Sequence, residues 1–353
     1  MSKMLMKGAE AIGEAAVRAG AEAYFAYPIT PQTEVAEYLA RRMPEAGGVF
    51  LQAESEVAAS QMIFGAAAAG ARVFSSSSSP GISLMSEAIS YLAGAQLPAV
   101  LINIMRGGPG LGGILPSQAD YFQATKGGGH GDYRCLVLAP STIQETVDLT
   151  FLAFELADKY RNPIMLVGDG LIGQMMEPVD FGRHEAPPRC DLSTWATNGC
   201  KGRAPHIVRS LFLDPLRLEQ NNHELQAKYD RMKAEEIRFE TYLTDDEPEL
   251  LIVAYGTTAR IARTVVDDLR AQGKKAGMFR PITLFPFPEA ELRAEAHKAG
   301  VKKLLVVEMS MGQMIEDVER VTRAAKPIAF FGRCGGIVPS PEEVLDAASK
   351  QFA

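Results

Sequence analysis

Cysteine is scarce in this chain and badly spaced for chemistry. The four cysteines, at 135, 190, 200 and 334, are separated by steps of 55, 10 and 134, and no C-x2-C pair exists, which excludes an iron–sulfur cluster held by these residues. They also make no disulfide framework for a chain with so large an apolar fraction, so a reducing cytoplasm is expected. Positive charge is in deficit: 36 Lys and Arg against 43 Asp and Glu leave a net charge of −7, which argues against a general nucleic-acid footprint and against a basic membrane face. Long apolar runs are missing too. The 18 uncharged residues between Glu87 and Arg106 include Ser90, Tyr91, Gly94, Gln96, Pro98 and Asn103, and read as a helix end, a turn and a strand, not a membrane span. The opening MSKMLMKGAEA has no long apolar segment ahead of its first helix pattern, so no secretory leader is expected. Neither the H-E-x-x-H of zinc hydrolases nor the G-x-S-x-G nucleophile elbow occurs.

What remains is an ordinary globular composition, 47% apolar and 22% charged over 353 residues, long enough for two domains. Short apolar runs at Ala23–Tyr27, Val49–Gln52, Arg72–Ser75, Ala99–Ile104, Arg134–Leu138 and Pro163–Val167 alternate with helix patterns near 9–18, 32–43, 55–69, 82–95, 116–126 and 142–159. That rhythm predicts βα units and a mostly parallel sheet covered on both faces, an α/β fold, over 1–178. Residues 179–247 break it. Pro178, Pro187, Pro188, Pro205 and Pro215 crowd into loop-like sequence, then Leu218, Leu225, Tyr229 and Met232 line one face of a charged helix. This arm either packs on its own chain as a linker or clasps a partner. From 248 to 353 the alternation resumes: strands at Leu250–Tyr255, Lys275–Arg280, Lys303–Val307 and Ile328–Phe331, with helices at 258–272, 289–299, near 312–324 and near 341–351, make a second, smaller α/β domain.

Several patterns invite function and do not hold. GPGLGG at 108–113 fits the dinucleotide fingerprint and follows a strand, but Ile114, Leu115 and Pro116 come next where a helix should open. His184, Cys190, Cys200 and His206 are separated by 5, 9 and 5 residues, a poor match to structural zinc. Gly168-Asp169-Gly170 could start a magnesium–diphosphate signature, but Asn221-Asn222 follow only after 50 residues, too far to complete it.

Three segments each lie just past the carboxyl end of a predicted strand, where open parallel sheets bind ligands: Tyr27-Pro28-Ile29-Thr30-Pro31, Leu51-Gln52-Ala53-Glu54-Ser55-Glu56, and Asn103-Ile104-Met105-Arg106-Gly107-Gly108-Pro109-Gly110. Singly, each has a structural explanation. Thr30 suits a helix N-cap before Pro31, Glu54 and Glu56 suit a helix dipole, and Arg106 suits a snorkelled surface arginine. Together, in this order, YPITP, QAESEVAA and RGGPG resemble the 2-oxoacid:ferredoxin oxidoreductases, specifically the alpha subunit that carries the pyrimidine-binding domain of a thiamine-diphosphate enzyme. LLIVAYGTTARIA, FRPITLFPFP and LLVVEMSMGQM look like the transketolase C-terminal-like domain of that subunit. SSSSSPGISL, RGGPGLG and ATKGGGHGDYR look most like the branched-chain, 2-oxoisovalerate type.

The resemblance implies a division of labour. Residue Glu56, and not Glu54, matches the family's carboxyl that hydrogen-bonds the pyrimidine N1′ of thiamine diphosphate, with Ser79 beside the cofactor. Arg106 and Thr30 are expected on the 2-oxoacid carboxylate. The sequence does not show whether His130 and Asp132 line the entrance. Mg²⁺ and the diphosphate are expected on a beta subunit, [4Fe–4S] clusters on a ferredoxin-like delta subunit, with a gamma subunit completing the complex. The implied reaction is oxidative decarboxylation of a 2-oxoacid with coenzyme A, giving acyl-CoA, CO2 and reduced ferredoxin. The rival readings are a 2-oxoglutarate enzyme of the same family, a non-catalytic α/β assembly subunit, and a dinucleotide-dependent dehydrogenase resting on GPGLGG alone.

Overall fold

Residues 99–105 show why the first unit is a sheet buried on both sides. Val100, Ile102 and Ile104 point into one apolar core, and Ala99, Leu101 and Met105 into another. In the computed structural model, which describes residues 3–323 and 325–352, this strand is central to a seven-stranded sheet. The order across that sheet is Thr283–Phe285, Leu136–Leu138, Pro163–Asp169, Ala99–Met105, Val73–Ser77, Ala23–Ala26 and Val49–Gln52. All neighbours are parallel except the first pair. The chain leaves Ala23–Ala26 toward one edge and Val73–Ser77 toward the other. The crevice past the carboxyl ends of these two neighbours is therefore the topological switch point, the natural ligand position in such a sheet.

A second sheet of five strands runs Ile328–Gly332, Lys303–Glu308, Leu250–Val253, Ala276–Pro281 and Phe239–Tyr242, parallel except at the last pair. One continuous apolar core joins the two sheets, with Leu101, Val137 and Met165 from the first and Leu251, Val253, Phe279 and Val306 from the second. The linker helix Pro215–Glu235 packs on its own chain through Leu225, Tyr229 and Met232, all buried, while Leu218 stays exposed. No helix among the described residues is long and apolar enough to cross a membrane.

Some expectations need correcting. The helix expected over 116–126 forms only from Tyr121, widening into a π-helical turn at Gln123–Gly127, and 116–120 are extended chain and a turn. The cause is polar: Gln118 N–H donates to the Met309 carbonyl at 2.9 Å, and the Ser117 hydroxyl reaches the same carbonyl, so this backbone serves the second sheet. Four short strands escaped the reading: Phe239–Tyr242, Thr283–Phe285, and the antiparallel pair Met4–Lys7 with Met176–Val179. Of the predicted segments, residues 1, 2, 324 and 353 lie outside the described residues.

A buried cation fixes the return of the linker. Arg72, 5% exposed, donates to Asp158 Oδ2 from Nη2 at 2.6 Å and from Nε at 3.1 Å, and its guanidinium also holds the carbonyls of Ala19, Pro187 and Pro188. Removing one partner of a buried pair strands the other charge. Arg72→Met should lower stability by about 3–5 kcal/mol, and adding Asp158→Leu should recover part of the loss. Urea unfolding midpoints of the two variants beside the parent measure both effects.

Candidate functional site

Two loops and one helix start converge on the switch point. The helix Ser79–Gly94 begins directly past the strand Val73–Ser77, and its first turn holds Ser79 and Gly81. The helix Glu56–Ala68 begins past the strand Val49–Gln52, capped by the Ser55 hydroxyl, which accepts from Ala58 N–H at 3.1 Å. Glu56 is the first residue of that helix and is buried, whereas Glu54 is exposed. Its carboxylate is directed at the start of the neighbouring helix. A methyl group at position 81 would come 2.7 Å from Glu56 Oε1 and would also strike the Ser77 hydroxyl, so only glycine leaves this space open. The Glu56 side chain makes no hydrogen bond to another described residue, a notable state for a carboxylate 6% exposed.

Arg106 directly follows the central strand and is buried. Its Nη1 donates to the Thr30 carbonyl at 2.9 Å and its Nη2 to the Leu111 carbonyl at 3.2 Å. It therefore clamps the YPITP segment against the glycine loop and is no snorkelled surface residue. Its Nε is buried without a partner among the described residues. Thr30 is exposed and does not cap a helix. The helix starts at Thr33 with Gln32 as its N-cap residue, and the Gln32 side chain donates to the Tyr27 carbonyl and accepts from the Ser76 hydroxyl. The residues from all three motifs thus share one site.

Ser79 is the hub beneath them. Its Oγ accepts from Arg106 N–H at 3.0 Å and donates to Asp120 Oδ2 at 2.6 Å. Asn103 completes the network, donating to the same Asp120 oxygen at 2.8 Å while its Oδ1 accepts from Ser79 N–H. Asp120 was not foreseen in the sequence. Loss of water around it holds its carboxyl above the usual range, against the opposing pull of the Ser79 and Asn103 hydrogen bonds and the Arg106 charge. The hydroxyls of Ser75, Ser77 and Ser78 are buried without partners among the described residues.

The decoys separate from this site. GPGLGG is a closed loop, Gly113 N–H donating to the Gly107 carbonyl, and opens no helix. Asp169 caps the short helix Gly170–Gln174 through Leu171 and Ile172 N–H. His184 pairs with Asp148 and His206 with the Ala196 carbonyl, and no three His, Cys, Asp or Glu among the described residues are grouped to hold a metal. His130 sits beside Ser90 and Tyr91, toward the far end of the helix that Ser79 opens, on the order of 16 Å along its axis. Asp132 lines an open cleft with Pro215 and His223.

The family described as pyruvate flavodoxin/ferredoxin oxidoreductase, thiamine diP-bdg, matches residues 14–233, and pyruvate:ferredoxin oxidoreductase core domain II matches residues 248–344. The ketoisovalerate oxidoreductase subunit VorB of Methanothermobacter thermautotrophicus is 49% identical, across 98% of this chain and 97% of its own. The 2-oxoglutarate synthase subunit KorA of the same organism is 34% identical, across 98% of each. Among solved structures, the 2-oxoglutarate:ferredoxin oxidoreductase of Magnetococcus marinus, with 2-oxoglutarate, coenzyme A and succinyl-CoA bound, has a TM-score of 0.91 at 27% identity; the match covers 100% of this chain and 66% of that one.

Asp120 gives the site a pH signature. Its carboxyl is harder to ionise folded than unfolded, so it contributes stability fully below the unfolded value of about 3.9 and loses it as pH rises through the folded one. Asparagine mimics the protonated acid and still accepts from Ser79 and Asn103. Asp120→Asn should therefore remove from the stability profile a component that falls as pH rises above the unfolded value. Urea midpoints taken every half pH unit check this.

Proposed function

Because the chain belongs to the 2-oxoacid:ferredoxin oxidoreductase family, we propose that it is the alpha subunit of a cytoplasmic complex that oxidises 2-oxoisovalerate and related branched 2-oxoacids. Coenzyme A takes the acyl group and ferredoxin takes the electrons. The substrate class rests on the higher identity to the ketoisovalerate subunit, 49%, than to the 2-oxoglutarate subunit, 34%. Residues 1–178 form the pyrimidine-side domain in this reading, 179–247 the linker and arm, and 248–353 the second domain. Mg²⁺ with the diphosphate belongs to a beta subunit, and [4Fe–4S] clusters to a ferredoxin-like delta subunit beside a gamma subunit.

The observation that carries the reading is Glu56: a buried carboxylate without a protein partner, aimed across Gly81 at the switch point. The unpartnered Ser77 and Ser78 hydroxyls beside it suit a polar ligand, so the residues present fit the pyrimidine half of thiamine diphosphate. When bound, that cofactor supplies the carbanion chemistry of decarboxylation. Glu56 holds and returns a proton at N1′. Ser79, its own hydroxyl committed to Asp120 and Arg106, would help hold the pyrimidine half of the cofactor. Arg106 spends two of its five N–H donors on Thr30 and Leu111, and those that remain face a substrate carboxylate together with the Thr30 hydroxyl. This set also speaks against a purely structural subunit, which needs no unpaired buried carboxylate.

Two measurements on the assembled complex test the proposal. Glu56→Gln should keep thiamine diphosphate bound yet lower turnover by roughly 10²–10⁴, the usual worth of a positioned acid–base group. Glu54→Gln, exposed at the same helix start, should change it by less than roughly tenfold. Equal effects of the two variants would remove Glu56 from the mechanism. In a viologen-reduction panel with coenzyme A, 2-oxoisovalerate should turn over fastest, since an apolar pocket gains ~0.8 kcal/mol per buried methylene and cannot solvate a second carboxylate. Faster turnover of 2-oxoglutarate than of every branched substrate would overturn the substrate class and leave the family intact.

A further inference from the structure

Far from the Glu56 site, three cations stand together with no anion. Arg161 follows the helix Ile143–Tyr160, Arg209 lies in the linker and Lys228 on the helix Pro215–Glu235, and none forms an ion pair with a described residue. In a chain of net charge −7, where most buried or half-buried cations find a carboxylate, that is a departure. Arg161, Arg209, Gln96, Trp195, Phe212 and Asn221 line a pocket of about 230 Å³. Lys228 borders it, its Nζ donating to the Arg161 carbonyl at 3.2 Å and approaching Gln96 Oε1 at 3.5 Å. Burial and the positive charges of Arg161 and Arg231 push the Lys228 amine down to about 7, as expected where no anion compensates it.

The pocket is built. The Arg161 guanidinium stacks on the Trp195 ring, 4.4 Å from its centroid, and Arg209 lies 5.2 Å from that of Phe212. Arg161 Nε donates to the Gln96 carbonyl, which orients the fork. Both Arg161 and Gln96 hold left-handed backbone, at φ 45° and 53°, where glycine is the default, so the fold keeps these side chains at conformational cost. Trp195 is 6% exposed, and its Nε1–H is buried with no acceptor among the described residues. An indole N–H can only donate. Unused donors and unpaired cations around a small, solvent-open pocket ask for one compact, multiply charged acceptor.

We propose that this pocket binds a phosphoryl group, either free phosphate or the phosphoryl end of a small metabolite. A monocarboxylate carries one charge and two oxygens, too few for two guanidinium groups and an indole donor, and a dinucleotide exceeds the volume. The proposal is independent of the thiamine site and its chemistry.

Trp195 is the only tryptophan in the chain, so its fluorescence reports on this pocket directly. The full-length chain is titrated with inorganic phosphate, with glycerol phosphate and with acetate, chloride being adjusted to hold ionic strength constant. The expected result is a saturable change with one or both phosphoryl compounds and at least tenfold weaker binding in Arg209→Gln, whose exposed side chain leaves the fold intact. Lys201→Gln, an exposed cation outside the pocket, should bind as the parent does. Tighter binding of phosphate identifies the free ion as ligand, and tighter binding of glycerol phosphate identifies a phosphorylated metabolite. A response that merely follows ionic strength, that survives Arg209→Gln unchanged, or that acetate matches would overturn the proposal.

Discussion

The site depends on one short stretch, Ser117 to Asp120, that bonds in two directions. Gln118, fully buried, donates to the Tyr255 carbonyl at 2.7 Å, and its Oε1 accepts from Met309 N–H and from the Thr258 hydroxyl, all just past the carboxyl ends of strands of the second sheet. Two residues on, Asp120 holds Ser79 and Asn103 on the first. The same few ångströms of chain therefore join the sheets and set the floor of the switch-point crevice. A buried amide with its donor and acceptor both satisfied specifies one register, since any slip leaves polar groups unmet at low dielectric. The second sheet is thus part of the site's rigidity although it contributes no residue to the three motifs. Its own loop is held likewise: Glu308, fully buried, accepts from Gln313, Met314 and Ile315 N–H at the start of the helix Met314–Thr322.

The central parallel strands are legible because burial on both faces demands continuous apolar runs, as in Ala99–Met105 and Pro163–Asp169. The antiparallel additions are not. Thr283–Phe285 is three residues long and pairs with a strand some 145 positions earlier, and Met4–Lys7 pairs with Met176–Val179 across nearly half the chain. Nothing local encodes such pairings. The helix expected over 116–126 starts late for a related reason: it is helical from Tyr121, but Ser117 and Gln118 give their backbone and side chains to Met309, a partner 190 or so residues away.

Motif order brings Thr30, Glu56 and Arg106 into view, and in the structure Glu56 is buried while Glu54 is exposed. The reading could not foresee that Arg106 would reach Thr30 through a carbonyl, because sequence carries no side-chain direction. Asp120 was invisible for a sharper reason. An aspartate four residues past a proline, in a run of small polar residues, is the commonest of loop signals, and only the meeting with Asn103 and Ser79 gives it meaning.

Glu56 also explains why the surroundings are held so firmly. A buried carboxylate with no protein partner costs stability, and a fold free to relax would turn it to water or supply a donor. Here no neighbouring side chain supplies that donor. The glycine at 81 gives the carboxylate room but no hydrogen bond, Ser55 is committed to capping the helix that Glu56 begins, and Ser79 is locked between Arg106 and Asp120. The dipole of the helix Glu56–Ala68 offsets part of the cost by favouring negative charge at its first residue. The remainder is borne by the satisfied network around it, in which Arg106, Asn103, Gln118 and Asp120 leave few groups able to move. Such strain, over-determined by its neighbours, is what a preorganised site requires: the group that must act on a ligand is the one the protein itself leaves unpaired.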